Sequence, residues 1–413
     1  MTSEHKIGAG ARNSLWASFL IMGIASMAWV PRIPEIKDAV GVSNGQFGFI
    51  FLGSTIGSVL GAQIAGRAIH TFGSRPVARI SSMLLPLGLV AMAYAMTATQ
   101  LFFALMLMGF GYAITDMGLN SQGIVVEKIL DRKCLSSFHA MWSVGSFASA
   151  VFGGFMIAHL TPKENLVSIA VLSIAAFIPA NFFLLKPDMD QHAGNIGEKT
   201  EAKIPFFGKS SFPLWALGLG MIAGMVAEGA ASDWAGILLR ENMDISSRLY
   251  STAFASFALA MIVSRFLGDK ALHKFGLRNT VRYGGVVGGA VWGLSIAIAV
   301  PLSSYAEIPA LIIVNIGFIF AGLGIGPMFP AFILAASRIK GVAPAVAISR
   351  VGLIGISGYF IGPTITGLFA EVSTLSIAMA YPVLMMILGG YMSRAIKKEQ
   401  EEGLENPALN EGK

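Results

Sequence analysis

Residues 68–75 read Ala68-Ile69-His70-Thr71-Phe72-Gly73-Ser74-Arg75, and 203 positions later the chain reads Ala271-Leu272-His273-Lys274-Phe275-Gly276-Leu277-Arg278. Five of the eight positions are identical. Each copy is short and basic, holds a glycine suited to a tight reversal, and joins two long apolar runs. The same shift lays the small residues Gly53, Gly57, Gly61 and Ala65 on Ser256, Ala260, Ser264 and Gly268. Small residues at every fourth position let membrane helices approach closely, so both copies present one packing face. Trp29 pairs with Trp234 at a shift of 205, and Gly109-Phe110 with Gly317-Phe318 at 208, as loop lengths drift. The chain reads as a duplicated set of six helices, the halves related by a pseudo-two-fold axis along the membrane normal.

Composition agrees with that reading. Of 413 residues 54% are hydrophobic and 13% charged, against roughly 25% charged in soluble domains. Mean hydropathy is +0.69 and glycine numbers 48, which excludes a soluble globular protein and implies an all-α membrane protein. Crossing ~30 Å of hydrocarbon takes about 20 apolar residues. Runs of that kind place spans 1 to 6 at 13–32, 44–66, 77–97, 100–126, 135–159 and 166–185. Spans 7 to 12 follow at 213–238, 248–268, 281–301, 308–335, 342–370 and 375–393. The expected organisation is therefore twelve transmembrane helices: a six-helix bundle over 1–185, a polar cytoplasmic linker over 186–212, a second bundle over 213–393, and a charged cytoplasmic tail over 394–413.

The net charge of +6 and pI near 9.4 are a topology signal, since no soluble segment is long enough to carry a basic nucleic-acid face. With the N-terminus inside, 23 of the 29 Lys and Arg fall in inner segments, Arg265 counted among them, and 5 fall outside; Arg350 lies within a span. Both termini are thus expected in the cytoplasm. The alternative for span 1 is a signal peptide cleaved after Ser26-Met27-Ala28, which would leave eleven spans and break the duplication. One cysteine, Cys134, and six His give neither a disulfide nor zinc spacing, so no metal or other cofactor is expected. The chain lacks a G-x-x-x-x-G-K-[ST] loop for ATP, and it has no G-x-S-x-G or H-E-x-x-H of a membrane-embedded enzyme.

Over nearly its whole length the chain resembles the major facilitator superfamily. The superfamily's inner-loop pattern G-x-L-a-D-R-x-G-R-R lies on Gly66-Arg67-Ala68-Ile69-His70-Thr71-Phe72-Gly73-Ser74-Arg75. His70 and Thr71 stand at the pattern's Asp and Arg, so the loop lacks the acid of the superfamily's latch between spans 2 and 11. Gly73 still permits the reversal, and Arg75 and Arg79 remain at the anionic inner leaflet. Within the superfamily, Asp116-x-x-x-Asn120 in span 4 and Phe329-Pro330 in span 10 are similar to the acid-x-x-x-Asn and the aromatic-Pro helix break of the fucose-permease-like branch of sugar and polyol transporters. Met27 stands where fucose permease has a second acid. The Gly-Pro motif of drug antiporters is absent from span 5, which has Gly153-Gly154, while Gly358-x-x-x-Gly362-Pro363 occurs in span 11.

An ionised group at mid-bilayer costs roughly 2.5 to 3.5 kcal/mol even on lenient scales, so it is placed against a cavity or a partner. In span 4, Tyr112, Asp116 and Asn120 share one helical face about 6 Å apart. The resemblance implies that this face contacts substrate, with Asp116 exchanging a proton; the alternative is a structural Asp bonded to neighbouring helices. Glu228 and Asp233 in span 7 are about 140° apart around the helix axis, which leaves Glu228 as the candidate for the cavity. It either couples protons or is a buried acid bonded to a helix carbonyl. His139 is a proton relay or a packing residue, Trp142 a stacking face for sugar or a packing aromatic, and Arg350 a grip on substrate oxygen or a cytoplasmic clamp. Asn315, Gln122 and Asn181 carry weaker signals.

Arg32 and Asp233 are set by the Trp29/Trp234 correspondence about 6 Å apart in depth, so they form a candidate outer gate. Glu35 competes for Arg32, as does snorkelling to the interface. The resulting expectation is a monomeric secondary transporter in the bacterial inner membrane, working by alternating access on a small polar solute of the sugar or polyol type and coupled to protons. Proton-antiport export of drugs or cationic metabolites is the alternative, favoured by an excess of buried acids. Its partners are the solute, protons and the bilayer, with no nucleic acid.

Overall fold

Helix boundaries follow from where prolines, glycines and capping side chains interrupt the apolar runs. The computed structural model describes residues 3–132, 134–189, 211–339, 342 and 344–397. Most of the 186–212 connection and of the 394–413 tail lie outside the described residues. The chain forms two compact units, residues 1–199 with 247–251, and residues 200–246 with 252–413.

In the first unit α1 (Ser3–Met27) stops ahead of Pro31 and Pro34, whose fixed φ and missing N–H give a 3-10 turn, Val30–Arg32, and the short α2 (Ile33–Val40). α3 (Asn44–Phe72) opens on a capping box in which the Ser43 hydroxyl accepts from the Gln46 amide and the Gln46 side chain accepts from the Ser43 amide. α4 (Ser74–Ala93), α5 (Ala98–Leu130), α6 (Leu135–Met156) and α7 (Pro162–Ala180) complete the unit. The second unit contains α8 (Phe212–Asp233), α9 (Ala235–Glu241), α10 (Thr252–Ser303), α11 (Glu307–Ile325), α12 (Met328–Ser337), α13 (Pro344–Val372), α14 (Leu375–Ala378) and α15 (Ala380–Met392).

The duplicated loop has one backbone shape in both units. Gly73 takes φ 82°, ψ 161° between α3 and α4, and Gly276 takes φ 78°, ψ 163° within α10. That region is open essentially to glycine alone. α10 is accordingly two spans joined at Gly276, the counterparts of α3 and α4.

Packing repeats in the same way. Along α3, a Cβ on Gly53, Gly57 or Gly61 would run into the carbonyls of Phe102, Met106 and Phe110 of α5. In the second unit Ala260 packs on Gly322 of α11, and the Ser256 and Ser264 hydroxyls donate to Asn315 Oδ1 and to Gly322 O. The small-residue stripe is therefore the seam between the second and fourth spans of each set, where backbones touch, except at Gly268, which has open space around it. Gly111 and Gly118 of α5 pack on Leu84–Leu85 and Ala78 of α4, while Gly317 and Gly324 of α11 pack on Trp292 and Gly284 of α10. By packing partner, Gly317 thus corresponds to Gly111; Gly109 instead meets Ser54 of α3. α1 meets α6 through Gly23 and Gly145 and through the stacked rings of Phe19 and Phe138, 5.8 Å apart.

Eleven segments among the described residues are long and apolar enough to cross a membrane. The twelfth span is α6, 22 residues long, whose apolar character is diluted by five serines and His139. Span 10 is broken just ahead of Phe329-Pro330, where the resemblance implied a break: α11 ends at Ile325 and α12 begins at Met328, because Pro327 has no N–H to continue the ladder.

Candidate functional site

α5 has its faces divided by what each touches. Thr115, fully buried, donates to Gly111 O and to Ser81 Oγ of α4, which fixes one face; Gly109 fixes another against α3. Tyr112, Asp116 and Asn120 share the remaining face and are half-buried. The Asn120 amide donates to Asp116 O at 2.9 Å. Its Oδ1 lies 3.2 Å from Nε2 of His139, an exposed residue of α6 whose ring stands edge-on to Phe19 of α1 at 5.2 Å. The structure therefore brings the Asp116 stripe and His139 into one assembly across α1, α5 and α6. Trp142 lies one turn further along α6, with its backbone carbonyl against Gly23 and its Nε1 buried without a hydrogen-bond partner.

In the second unit Glu228 of α8 faces Arg265 of α10, with Nη2 to Oε1 at 3.6 Å; the side chains are 11% and 33% exposed. Arg265, assigned above to an inner connection, is thus a membrane-helix residue paired with an acid. The signal was present, since 265 falls inside span 8, but a lone Arg near a span end reads first as a topology charge. Asp233 is 7% exposed, with no hydrogen-bond or ion-pair partner among the described residues of its unit. Arg350 of α13 is half-buried.

Arg32 is fully buried. Its Nη1 donates to both carboxylate oxygens of Glu35 at 2.9 and 3.1 Å, Nη2 to Leu160 O at 2.9 Å, and Nε to Asn165 Oδ1 at 3.3 Å. Glu35, expected to compete for Arg32, is its partner. The inner-loop residues divide similarly. Gly66 has open space around its Cα and His70 is exposed, whereas Gly73 packs on the Pro187 ring. Arg75 donates to Phe182 O at 2.9 Å, and Arg79 to Asn181 O and Phe182 O at 3.1 Å each, so these cations hold the carbonyls just past the C-terminus of α7.

Two weaker candidates are structural. Gln122 binds Leu185 through both its amide ends and donates to Ser74 Oγ at 2.7 Å; Asn181 links Ser18 of α1 to Ser82 of α4. Asn315 likewise ties α11 to α10. Glu127 accepts from the amides of Cys134 and Leu135 and so caps α6; burial, and after it this carboxylate, push the Cys134 thiol up. Among the described residues no group of three His, Cys, Asp or Glu could hold a metal ion.

Comparison with known proteins places this architecture. An uncharacterized MFS-type transporter of Yersinia pestis is 29% identical over 395 residues, covering 95% of this chain and 97% of its own length. The membrane protein MosC of Rhizobium meliloti is 26% identical, with 90% and 86% covered. Among solved structures, a bacterial homologue of the human lysosomal transporter Spinster, inward-facing and occupied, superposes with a TM-score of 0.72 at 13% identity, covering 97% of this chain and 99% of that one. The nucleoside transporter NupG gives 0.68 at 13%, covering 95% and 99%. A family model, the Major Facilitator Superfamily, matches residues 15–343. With twelve membrane helices in two units and that match over most of its length, the chain belongs to the Major Facilitator Superfamily of membrane transporters.

Proposed function

We infer that this secondary transporter moves a small polar solute, of the sugar or polyol type, by alternating access in symport with protons. The observation that carries the reading is the contact of Asn120 with His139, which joins the Asp116 stripe to a titratable imidazole on the next helix. In this reading Asp116 and Glu228 exchange the coupled proton and His139 relays it. Tyr112, Asp116, Asn120, Trp142, Glu228 and Arg350 contact the solute. The buried, unpartnered indole N–H of Trp142 is a donor suited to a sugar hydroxyl. The Asp116/Asn120 spacing and Phe329-Pro330 support placement near the fucose-permease-like branch. The basic inner segments support both termini in the cytoplasm, and the bacterial relatives support the inner membrane as its location; the transporter is read as a monomer. The export alternative rests on an excess of buried acids, and the Arg265 guanidinium beside Glu228 offsets one of those acids.

Proteoliposomes with an imposed pH gradient and a panel of radiolabelled sugars, polyols and organic cations test this reading. Wild type is expected to accumulate a sugar or polyol. Asp116→Asn and Glu228→Gln are each expected to lose gradient-driven accumulation while keeping solute exchange. Normal accumulation by both variants overturns the coupling assignment, and gradient-driven expulsion of a cation with no sugar uptake replaces symport by export.

A further inference from the structure

α8 presents one face to the part of span 10 that follows its break. A Cβ on Gly220 would meet the Phe332 ring, and one on Gly224 would meet Met328. The two contacts share an antiparallel register, four residues forward on α8 for four back on span 10. One more turn brings Glu228 level with Gly324, next to the interruption between Ile325 and Met328. From the other side, the first half of α10 runs alongside α11. Phe257 O meets Gly322, and Met261 O and the Ser264 hydroxyl meet Gly326. The Ser264 hydroxyl also donates to Gly322 O at 3.3 Å. The next residue is Arg265, the partner of Glu228 at 3.6 Å. Carboxylate and guanidinium therefore meet at the level where span 10 is interrupted.

That interruption is weak in backbone terms. Pro327 offers no N–H to Leu323 O, and Pro330 offers none to Gly326 O. A helix that lacks ladder bonds bends there, and side chains hold its two halves in line.

We propose that the Glu228–Arg265 ion pair fastens the break in span 10: α12 is held against α8 while the pair is closed and swings when it opens. Arg265 is thus a positioning residue for transport. The idea rests on the reading of Glu228 as a carboxylate that exchanges the coupled proton.

Hydrogen–deuterium exchange of the full chain in lipid nanodiscs, read at the α12 amides, tests the fastening without transport. Arg265→Ala and Glu228→Gln should each speed α12 exchange about tenfold, with α5 amides unchanged. Arg265→Lys should stay within about twofold of wild type, and the double variant should exchange no faster than the faster single. Unaltered α12 exchange in both single variants, or equal acceleration of α5, overturns the proposal. Should Arg265→Ala fail to fold, Arg265→Gln decides, because it removes the charge and keeps much of the side chain's length. It should speed α12 exchange and leave α5 amides unchanged, and unaltered α12 exchange overturns the idea. The transport reading fails separately. Faster α12 exchange in Glu228→Gln with intact accumulation supports the fastening and removes Glu228 from coupling. Lost accumulation with unaltered exchange does the reverse.

Discussion

Arg32 shows how one side chain is held by its surroundings. It is fully buried and makes four hydrogen bonds inside the first unit. Arg32→Ala leaves Leu160 O and Asn165 without a donor and Glu35 without its cation. The variant should lose about 2 to 4 kcal/mol of stability, measured by unfolding in detergent. Arg32→Lys should recover only part of this, since an ammonium cannot reproduce the guanidinium fork. The Glu35 partner is legible in the sequence from the three-residue spacing. Leu160 O and Asn165 are not, because they come from a turn more than a hundred residues away.

At the scale of elements, small residues decide which helices touch. A Cβ on Gly57 would run into Met106 O, whereas one on Gly66 meets nothing within 4 Å, though both lie in α3. Gly57→Ala should therefore cost about 1 to 3 kcal/mol through forced separation of α3 and α5. Gly66→Ala should be neutral or slightly stabilising by helix propensity. Thermal unfolding of the two variants side by side checks this, and equal shifts would mean that the α3–α5 seam yields. The four-residue spacing in the sequence pointed to this face. The break of span 10 could also be anticipated, from Gly326-Pro327 and Pro330. Apolar length alone hid it, since a run from 308 to 335 satisfies the hydropathy of a continuous helix.

At the scale of the molecule, α6 is the span least able to insert by itself, because five serines and His139 lower its apolarity. Its hydroxyls are absorbed by neighbours: Ser149 donates to Ile24 O of α1 at 2.7 Å, and Trp16 Nε1 of α1 donates to Ser137 at 2.8 Å. An isolated α6 segment should insert poorly in a translocon assay, yet reporters fused after residues 132 and 160 of the longer chain should report opposite sides of the membrane. Reporters on one side would reduce the spans to eleven. The sequence by itself determined the all-helical membrane class, the duplication and the Gly73 and Gly276 reversals. Those follow from composition, period and a backbone conformation that glycine alone accepts, all of which are local. Only the tertiary structure decided that Arg265 faces Glu228, that Asn120 reaches His139, and that Arg75 and Arg79 reach the carbonyls following α7. Each of those contacts joins residues on different helices, and a helical face states what it can meet without naming the helix that will supply it.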